Sequence, residues 1–102
     1  MSAIRKSARG EQCSVRIPTI CGGDPETVVW AHANGSAAGK GIGMKSHDLL
    51  GAYACRACHD AYDGRGMKAR NVAWTKDEIT LMFWQGHARS LLILLKAGLV
   101  KV

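Results

Sequence analysis

The sequence lacks the features that mark membrane and exported proteins. None of its apolar runs approaches the roughly 18–20 residues that cross a bilayer. The first nine residues are basic, but no apolar stretch follows them, so they do not have the pattern of a signal peptide. The chain also contains no internal repeat and no low-complexity tract. We therefore expect a cytoplasmic protein that forms one domain and has no membrane partner.

Negative charge is also scarce in this chain. Its 8 acidic residues face 14 Lys and Arg residues, which gives a formal net charge of +6 at pH 7. Basic residues cluster near the start of the chain and again after residue 64. Such clusters suit contact with the phosphates of a nucleic acid, although they are equally typical of an ordinary solvated surface. Charge alone does not decide between these two interpretations.

The sequence has only four cysteines, at positions 13, 21, 55 and 58. Structural disulfides are disfavoured in a cytoplasm, whereas four thiolates satisfy the tetrahedral coordination of zinc. Cys55 and Cys58 have the two-residue gap that lets one tight turn present two sulfurs to an ion. Cys13 and Cys21 are more widely spaced, but glycines follow Cys21 and allow a turn there. We predict a structural zinc site that clips the N-terminal segment to the Cys55–Cys58 turn.

Two other interpretations of the segment Cys55–His59 stay open at this point. A Cys-x-x-Cys-His pattern is also the attachment site of c-type haem, and three methionines are candidate second ligands: Met44, Met67 and Met82. A covalent haem would leave two cysteines unexplained and normally requires export. A redox-active cysteine pair is less favoured, because no βαβ pattern surrounds the motif.

Hydrophobic and capping patterns predict the main elements. Alternation predicts short strands at residues 13–18, 27–32 and 49–54. A short helix is expected at 58–63, stopped by Gly64, and a long helix follows the capping box formed by Thr75 and Glu78. The late part of that helix, residues 91–95, is apolar all round, so we expect it to be covered by this domain or by a second copy.

The histidines and carboxylates suggest a second kind of site. His59 and Asp63 are four residues apart, so on a helix they share one face and could hold a hard divalent cation. They could also serve only as a cap and a turn contact. His32 ends the second predicted strand, and pairing with residues 49–54 would bring it opposite that helix face. One histidine could then deprotonate water while the cation stabilises the departing oxygen.

This order of parts, from residue 28 to 63, resembles the ββα-metal core of HNH endonucleases. A closer set of motifs is similar to a family of small nuclease-like proteins of lambda-like phages and prophages. These motifs are Arg-Lys-x-Ala-Arg-Gly from residue 5, Cys-x-Val-Arg-Ile-Pro from residue 13, Pro-Glu-Thr from residue 25, Ala31-His32, and Ala-Cys-x-Ala-Cys-His-Asp from residue 54.

The resemblance implies an α+β fold, namely a small zinc-stabilised ββα-metal (HNH-like) domain with a long C-terminal helix. The single domain 1–102 would comprise a basic arm with the first zinc-ligand pair at 1–26, the ββα-metal core at 27–66 and the C-terminal helix at 74–98. The expected activity is metal-dependent endonucleolytic hydrolysis of DNA, in the cytoplasm of a bacterial host cell if the gene is carried by a phage or prophage.

The resemblance also implies roles for individual residues. His32 would activate water, and Asp48 would orient the His32 ring. His59 and Asp63 would hold Mg²⁺ or another divalent cation. Phosphates of DNA would be contacted by Arg56, Arg65, Lys68 and Arg70. Many family members carry a metal ligand immediately before the strand-end histidine, where this chain has Ala31. Asn34 is a second candidate for the orienting residue, and we expect His47 to be a surface residue and His87 a structural one.

Two alternatives belong to other functional classes. The chain could be a zinc-containing nucleic-acid-binding module without catalytic activity, because Ala31 leaves the expected cation site one ligand short. It could also be a protein–protein adaptor that uses the apolar C-terminal helix, and the same helix could form a homo-oligomer.

Overall fold

The structure, a computed structural model, describes residues 3–34, 47–64 and 74–101. Within these ranges the elements in chain order are α1 (Ala3–Ser7), a 3₁₀ turn (Pro25–Thr27), β1 (Val29–His32), β2 (Gly51–Ala54), α2 (Arg56–Asp63) and α3 (Lys76–Lys96). The architecture is α+β, with a two-stranded sheet and a long C-terminal helix, as the sequence predicts.

The two strands pair in antiparallel fashion, and their register separates two ends of the hairpin. Val29 lies opposite Ala54, and His32 lies opposite Gly51. One end of the ladder therefore carries His32, whereas the other end leads directly into Cys55. The two ends are about 10–13 Å apart, because a strand rises about 3.3 Å per residue.

Helix α2 starts at the cysteine end of the hairpin and returns towards the histidine end. Its 8 residues span about 12 Å, which matches the length of the strands. Near its last turn, the hydroxyl of Tyr62 accepts a hydrogen bond of 2.8 Å from the backbone N–H of Asn34, which lies just beyond β1. Gly64 then ends the helix with φ of 75°, a conformation that favours glycine.

The outer edge of β2 is covered by side chains and by the N-terminal segment. The N–H of Tyr53 donates to Ser90 Oγ at 3.0 Å, and its carbonyl accepts from the N–H of Ser14 at 2.8 Å. The carbonyl of Gly51 accepts from His87 Nδ1 at 2.6 Å. These contacts satisfy the polar groups that an edge strand exposes, so this edge is closed to pairing with a further strand.

Helix α3 packs against β2 and the N-terminal segment through one buried face. A Cβ at Gly86 would lie 2.8 Å from the Cα of Val15, so only glycine permits this approach of the two backbones. The ring of Phe83 stacks on that of Tyr62 with 3.9 Å between centroids, which also joins α3 to α2. The buried face consists of Ile79, Phe83, Gly86, Ser90 and Leu94.

Helix α3 begins and ends as the sequence predicts. Thr75 and Glu78 form both hydrogen bonds of the capping box, and Gly98 follows the helix with φ of 74°. Among the described residues, no helix is both long enough and apolar enough to cross a membrane.

The strand predicted at residues 13–18 is wrong. The described structure has irregular backbone there, and Arg16 adopts φ of 53°, in the left-handed region that breaks a strand. The alternating pattern arises because Val15 and Ile17 are both buried in the core without a ladder. The predicted strand at 27–32 also starts later, because Asp24 caps a 3₁₀ turn over Pro25–Thr27.

Candidate functional site

The four cysteines come together as one cluster, which we call the four-cysteine cluster (Cys13, Cys21, Cys55 and Cys58). All four sulfur atoms lie within 4.8 Å of one another, and the sulfurs of Cys21 and Cys55 are 3.8 Å apart. A tetrahedral ion with Zn–S bonds of about 2.3 Å requires sulfur–sulfur edges of about 3.8 Å. The donor set and its spacing therefore fit a metal ion.

Local backbone geometry directs the sulfurs inward. Cys55 follows the last residue of β2 and directly precedes α2, so Cys58 lies in the first turn of that helix. The turn at Arg16 points its N–H at the sulfur of Cys13, and the N–H of Gly23 points at that of Cys21. Backbone N–H donors of this kind stabilise thiolate charge and fix the ligand direction.

Hydrogen bonds and burial shift the pKa values of the cysteine thiols in opposite directions. A hydrogen bond from Cys58 lowers the pKa of Cys13 to about 4. The same bond, with burial second, raises the pKa of Cys58 well above its ordinary value. Burial raises the pKa of Cys21 to about 11. A metal ion would resolve this crowding, because thiolates that repel one another bind a shared cation.

The cluster bears on the alternatives raised by the Cys55–His59 segment. Cys13 and Cys21, which covalent haem would leave unused, contribute their sulfurs to the same cluster. Of the three candidate haem methionines, Met44 and Met67 lie outside the described residues, and Met82 packs partly buried against the core. All four cysteines are free thiols.

At the other end of the hairpin, His32 contacts a carboxylate. Its Nε2 lies 2.8 Å from Asp48 Oδ1, and the same oxygen accepts from Arg5 Nη2 at 3.3 Å. Because a carboxylate oxygen can only accept, Nε2 carries a proton, and in the neutral ring Nδ1 then keeps the lone pair. The Asp48 carbonyl also accepts from Trp30 Nε1, which ties this loop to the strand.

On α2, the two residues predicted to hold a cation are in contact. His59 Nε2 lies 3.1 Å from Asp63 Oδ2, and both side chains keep about a quarter of their surface exposed, 26% and 25%. The other carboxylate oxygen, Oδ1, accepts from Asn34 Nδ2 at 3.0 Å. A separation of 3.1 Å is that of a direct hydrogen bond, and it is also about the spacing of two adjacent ligands of an octahedral cation with bonds of about 2.1 Å.

Asn34 brings the two groups to the same end of the hairpin. It lies two residues after His32 and bonds both Tyr62 and Asp63 at the end of α2. Burial raises the pKa of Tyr62, so its hydroxyl stays protonated. We refer to His32, Asp48, His59 and Asp63 together as the His–Asp group.

Several other predicted positions have definite places. Ala31 is buried, at 1% exposure, while His32 is only half-buried, so the two side chains lie on opposite faces of β1. His47 is exposed, as expected. His87 is half-buried and bonds the Gly51 carbonyl, which agrees with a structural role.

Only one of the four residues predicted to contact phosphates lies within the described ranges. Arg56 is exposed at the start of α2 and lines a cleft of about 530 Å³ together with Asp24 and Asp60. Arg65, Lys68 and Arg70 lie outside the described residues. Arg56 is thus the one predicted phosphate-binding residue that the described ranges include.

Sequence reasoning missed three contacts at this site. It counted Arg5 only as basic surface, and it did not connect Asn34 to Asp63 or assign any role to Tyr62. A polar residue two positions beyond a strand-end histidine was a usable signal for Asn34. No local pattern indicates that Arg5 reaches Asp48, which is 43 residues away.

A family model described as "Putative nuclease YbcO" matches residues 2–99 of this chain. The chain belongs to this family. Two curated relatives are each 43% identical over 101 residues, covering 99% of this chain and 99% of the relative. They are "Putative nuclease YbcO" of Escherichia coli (strain K12) and "Putative nuclease ybcO" of Enterobacteria phage 82.

A solved structure supports the same relationship. It is described as the structure of a putative bacteriophage protein from Escherichia coli str. K-12 substr. MG1655. It superposes with a TM-score of 0.73 at 38% identity, covering 94% of this chain and 100% of the other. The predicted similarity to small phage nuclease-like proteins is therefore confirmed at the level of the YbcO family. The HNH subtype stays a prediction.

Proposed function

We propose that this protein is a metal-dependent DNA endonuclease of the HNH (ββα-metal) type, with a structural zinc at the four-cysteine cluster. Membership of a family described as nucleases supports phosphodiester hydrolysis. One observation carries the site assignment: a histidine at the end of β1 bonds Asp48, while Asn34 just beyond it bonds the cation-binding face of α2.

His32 is the proposed general base. The bond from Nε2 to Asp48 leaves Nδ1 as the proton acceptor, and it holds the ring in one tautomer. Asp48 also stabilises the imidazolium that forms when His32 takes a proton from water. Arg5, on the same carboxylate oxygen, keeps Asp48 in position.

His59 and Asp63 are the proposed ligands of a divalent cation such as Mg²⁺. When bound, the cation would supply positive charge that stabilises the departing 3′ oxygen of the cleaved strand. Asn34 fixes the orientation of the Asp63 carboxylate through Oδ1 and leaves Oδ2 directed at His59. The exposed quarter of each side chain leaves room for water and phosphate oxygens.

Ala31 occupies the position at which many members of the HNH family carry a further ligand of the cation. Its side chain packs in the core on the face of β1 opposite His32, so this position supplies no donor to the site. The proposed cation site thus has two protein ligands, which suits Mg²⁺, an ion that usually keeps several waters and binds substrate phosphate. Because the protein would supply only two ligands, we expect the affinity for the cation to be higher when DNA is bound.

The alternative function is a zinc-containing module that binds nucleic acid without cleaving it. The single observation in its favour is the same two-ligand cation site, because an i,i+4 His–Asp contact also forms as a plain ion pair. The net charge of +6 would support binding in either case.

A plasmid-cleavage assay separates the two functions. We expect the zinc-loaded protein to nick or linearise supercoiled plasmid with Mg²⁺ or Mn²⁺ and to be inactive when neither cation is added. His32→Ala should lower the cleavage rate about 10²–10⁴-fold, which is the usual contribution of a general base. DNA binding by this variant, measured by fluorescence anisotropy, should change little.

A matched control is His47→Asn. In the wild type, the N–H of Leu49 donates to His47 Nδ1 at 3.1 Å. The substitution removes an exposed imidazole close to Asp48, but the asparagine side chain keeps an acceptor for this N–H. This variant should cleave at the wild-type rate. Equal cleavage by wild type and His32→Ala would rule out His32 as the general base, whereas salt-sensitive binding without any cleavage would rule out the enzyme and favour the binding module.

A further inference from the structure

An apolar stripe runs along the face of α3 that points away from the core. Leu81 and Leu92 are 60% and 61% exposed, the largest exposed fractions among the large apolar side chains of the described residues. The face of the helix that packs against β2 and the N-terminal segment does not include these two leucines. Surface apolar residues in register on one helix mark a contact site.

The spacing of the stripe is that of a helix–helix seam. Its members recur at alternating intervals of four and three residues, which is the 3.5-residue period of a coiled coil. The members are Leu81, Gln85, Ala88, Leu92 and Leu95. All are at least partly exposed, whereas the residues between them include the buried ones that face the core.

The stripe is close to symmetric about its middle. Leu81 and Leu95 each lie seven residues from Ala88, and Gln85 and Leu92 lie between them. In an antiparallel pair related by a two-fold axis at Ala88, Leu81 would meet Leu95 of the partner helix at both ends, and Leu92 would lie beside Gln85 of the partner helix. The small side chain at the centre permits close approach of the two helices.

Charge selects the antiparallel arrangement. The first turn of α3 contains Asp77 and Glu78, whereas its last turn contains Lys96 and the exposed Lys101 follows. Antiparallel packing places the acidic end of one helix beside the basic end of the other. Parallel packing would place like charges together, which is unfavourable, although Lys76 partly offsets the acidic end.

We propose that α3 is a homodimer interface, in which the stripe of one chain packs antiparallel on the same stripe of a second copy. The occupant is a second copy because the two ends of α3 carry opposite charge and the end leucines, Leu81 and Leu95, would meet across the two-fold axis. The seam is a single pair of helices, so we expect a dissociation constant on the order of 10 µM. The proposal is independent of the proposed nuclease function.

Sedimentation equilibrium of the zinc-loaded full chain tests the dimer. Between about 1 and 200 µM the weight-average mass should rise from 11.0 kDa towards twice that value. Leu92→Glu should raise the dissociation constant at least about 100-fold, because two carboxylates would be buried in the seam. Circular dichroism should show that this variant stays folded, since Leu92 is exposed in one chain.

The matched control is Val29→Glu, which places the same charge at another exposed apolar residue, 43% exposed and on β1. It should dimerise like wild type. A monomeric wild type at 200 µM, a dimeric Leu92→Glu, or equal dissociation of both variants would each overturn the proposal.

Photo-crosslinking tests the orientation. A benzophenone amino acid at position 81, with mixed light and heavy isotopes to identify intermolecular products, should crosslink to the region around Leu95 of the second copy. Crosslinks to position 81 of the second copy would establish parallel packing and overturn the antiparallel arrangement.

Discussion

The four-cysteine cluster and the His–Asp group use the same hairpin and helix but differ in their exposure to solvent. Three of the four cysteines are buried, and the sulfurs are close enough to complete a tetrahedron around one ion. The side chains of the His–Asp group keep between 22% and 32% of their surface exposed. The first site is closed on itself, whereas the second is open on one side.

This difference follows the chemistry that each site would serve. A structural metal is held best by a full set of protein ligands with no position left for water. A catalytic cation needs free positions for water and a phosphate oxygen, and a general base must reach solvent. His32 and Asp48 lie at the opposite end of the hairpin from Cys55, whereas α2 carries both Cys58 and the proposed cation ligands His59 and Asp63.

The largest expected effect comes from opening the closed site. Cys58→Ser removes a buried sulfur from the cluster, and structural zinc contributes directly to folding free energy, on the order of 10 kcal/mol in small zinc domains. We expect this variant to lose bound zinc, measured by mass spectrometry of metals, and to lose its cooperative thermal transition. A variant with one zinc per chain and a melting temperature within about 4 °C of wild type would show that the cluster is not a structural site.

The open site should respond in the opposite way. Asp63→Ala should lower Mg²⁺-dependent plasmid cleavage by about 100-fold, because it removes one of two proposed cation ligands. Its melting temperature should fall by less than about 4 °C, since a part-exposed His–Asp pair contributes only about 0.5 kcal/mol.

The control for this test is Asp60→Ala, which removes a carboxylate from the same helix but on the side of the Arg56 cleft. It should cleave like wild type. If Asp63→Ala retained full activity, or if it lost zinc together with activity, the separation into a structural and a catalytic end would be wrong.

The smallest effect is expected in the framework that the two sites share. Ser90→Ala deletes the buried hydroxyl that accepts from the N–H of Tyr53 at 3.0 Å and leaves that N–H without its acceptor. An unsatisfied buried donor costs about 1–3 kcal/mol. Chemical denaturation should show this loss, while zinc content and the cleavage rate at low temperature stay unchanged. A change in stability below about 0.5 kcal/mol would mean that the covered edge of β2 contributes little to the fold.

Short-range patterns in the sequence predicted much of the fold. The capping box at Thr75, the stop at Gly64 and the strand ending at His32 depend on residues within one or two turns of each other, and the structure agrees with each of them. The strand predicted at 13–18 failed because alternating burial can arise without a ladder. The left-handed backbone of Arg16 turns that segment around the cysteines instead.

The candidate site was predictable in its local parts and in the grouping of the four cysteines, which followed from the number of thiolates that zinc requires. The spacing of Cys55 from Cys58, and of His59 from Asp63, is determined by one helical turn and could be inferred directly. The contact of Asn34 with Asp63 spans 29 positions, and the contact of Arg5 with Asp48 spans 43. Such contacts depend on how whole elements pack, which no local pattern specifies.

The sequence by itself determined the residue types of both sites, the helix that connects them and the basic character of the chain. Only the tertiary structure decided that Asn34 meets Asp63, that Ala31 faces the core, and that Leu81 and Leu92 of α3 stay exposed. The physical reason is the distance along the sequence over which each effect acts. Backbone geometry fixes neighbours a few residues apart, whereas burial of the core selects which distant segments lie together.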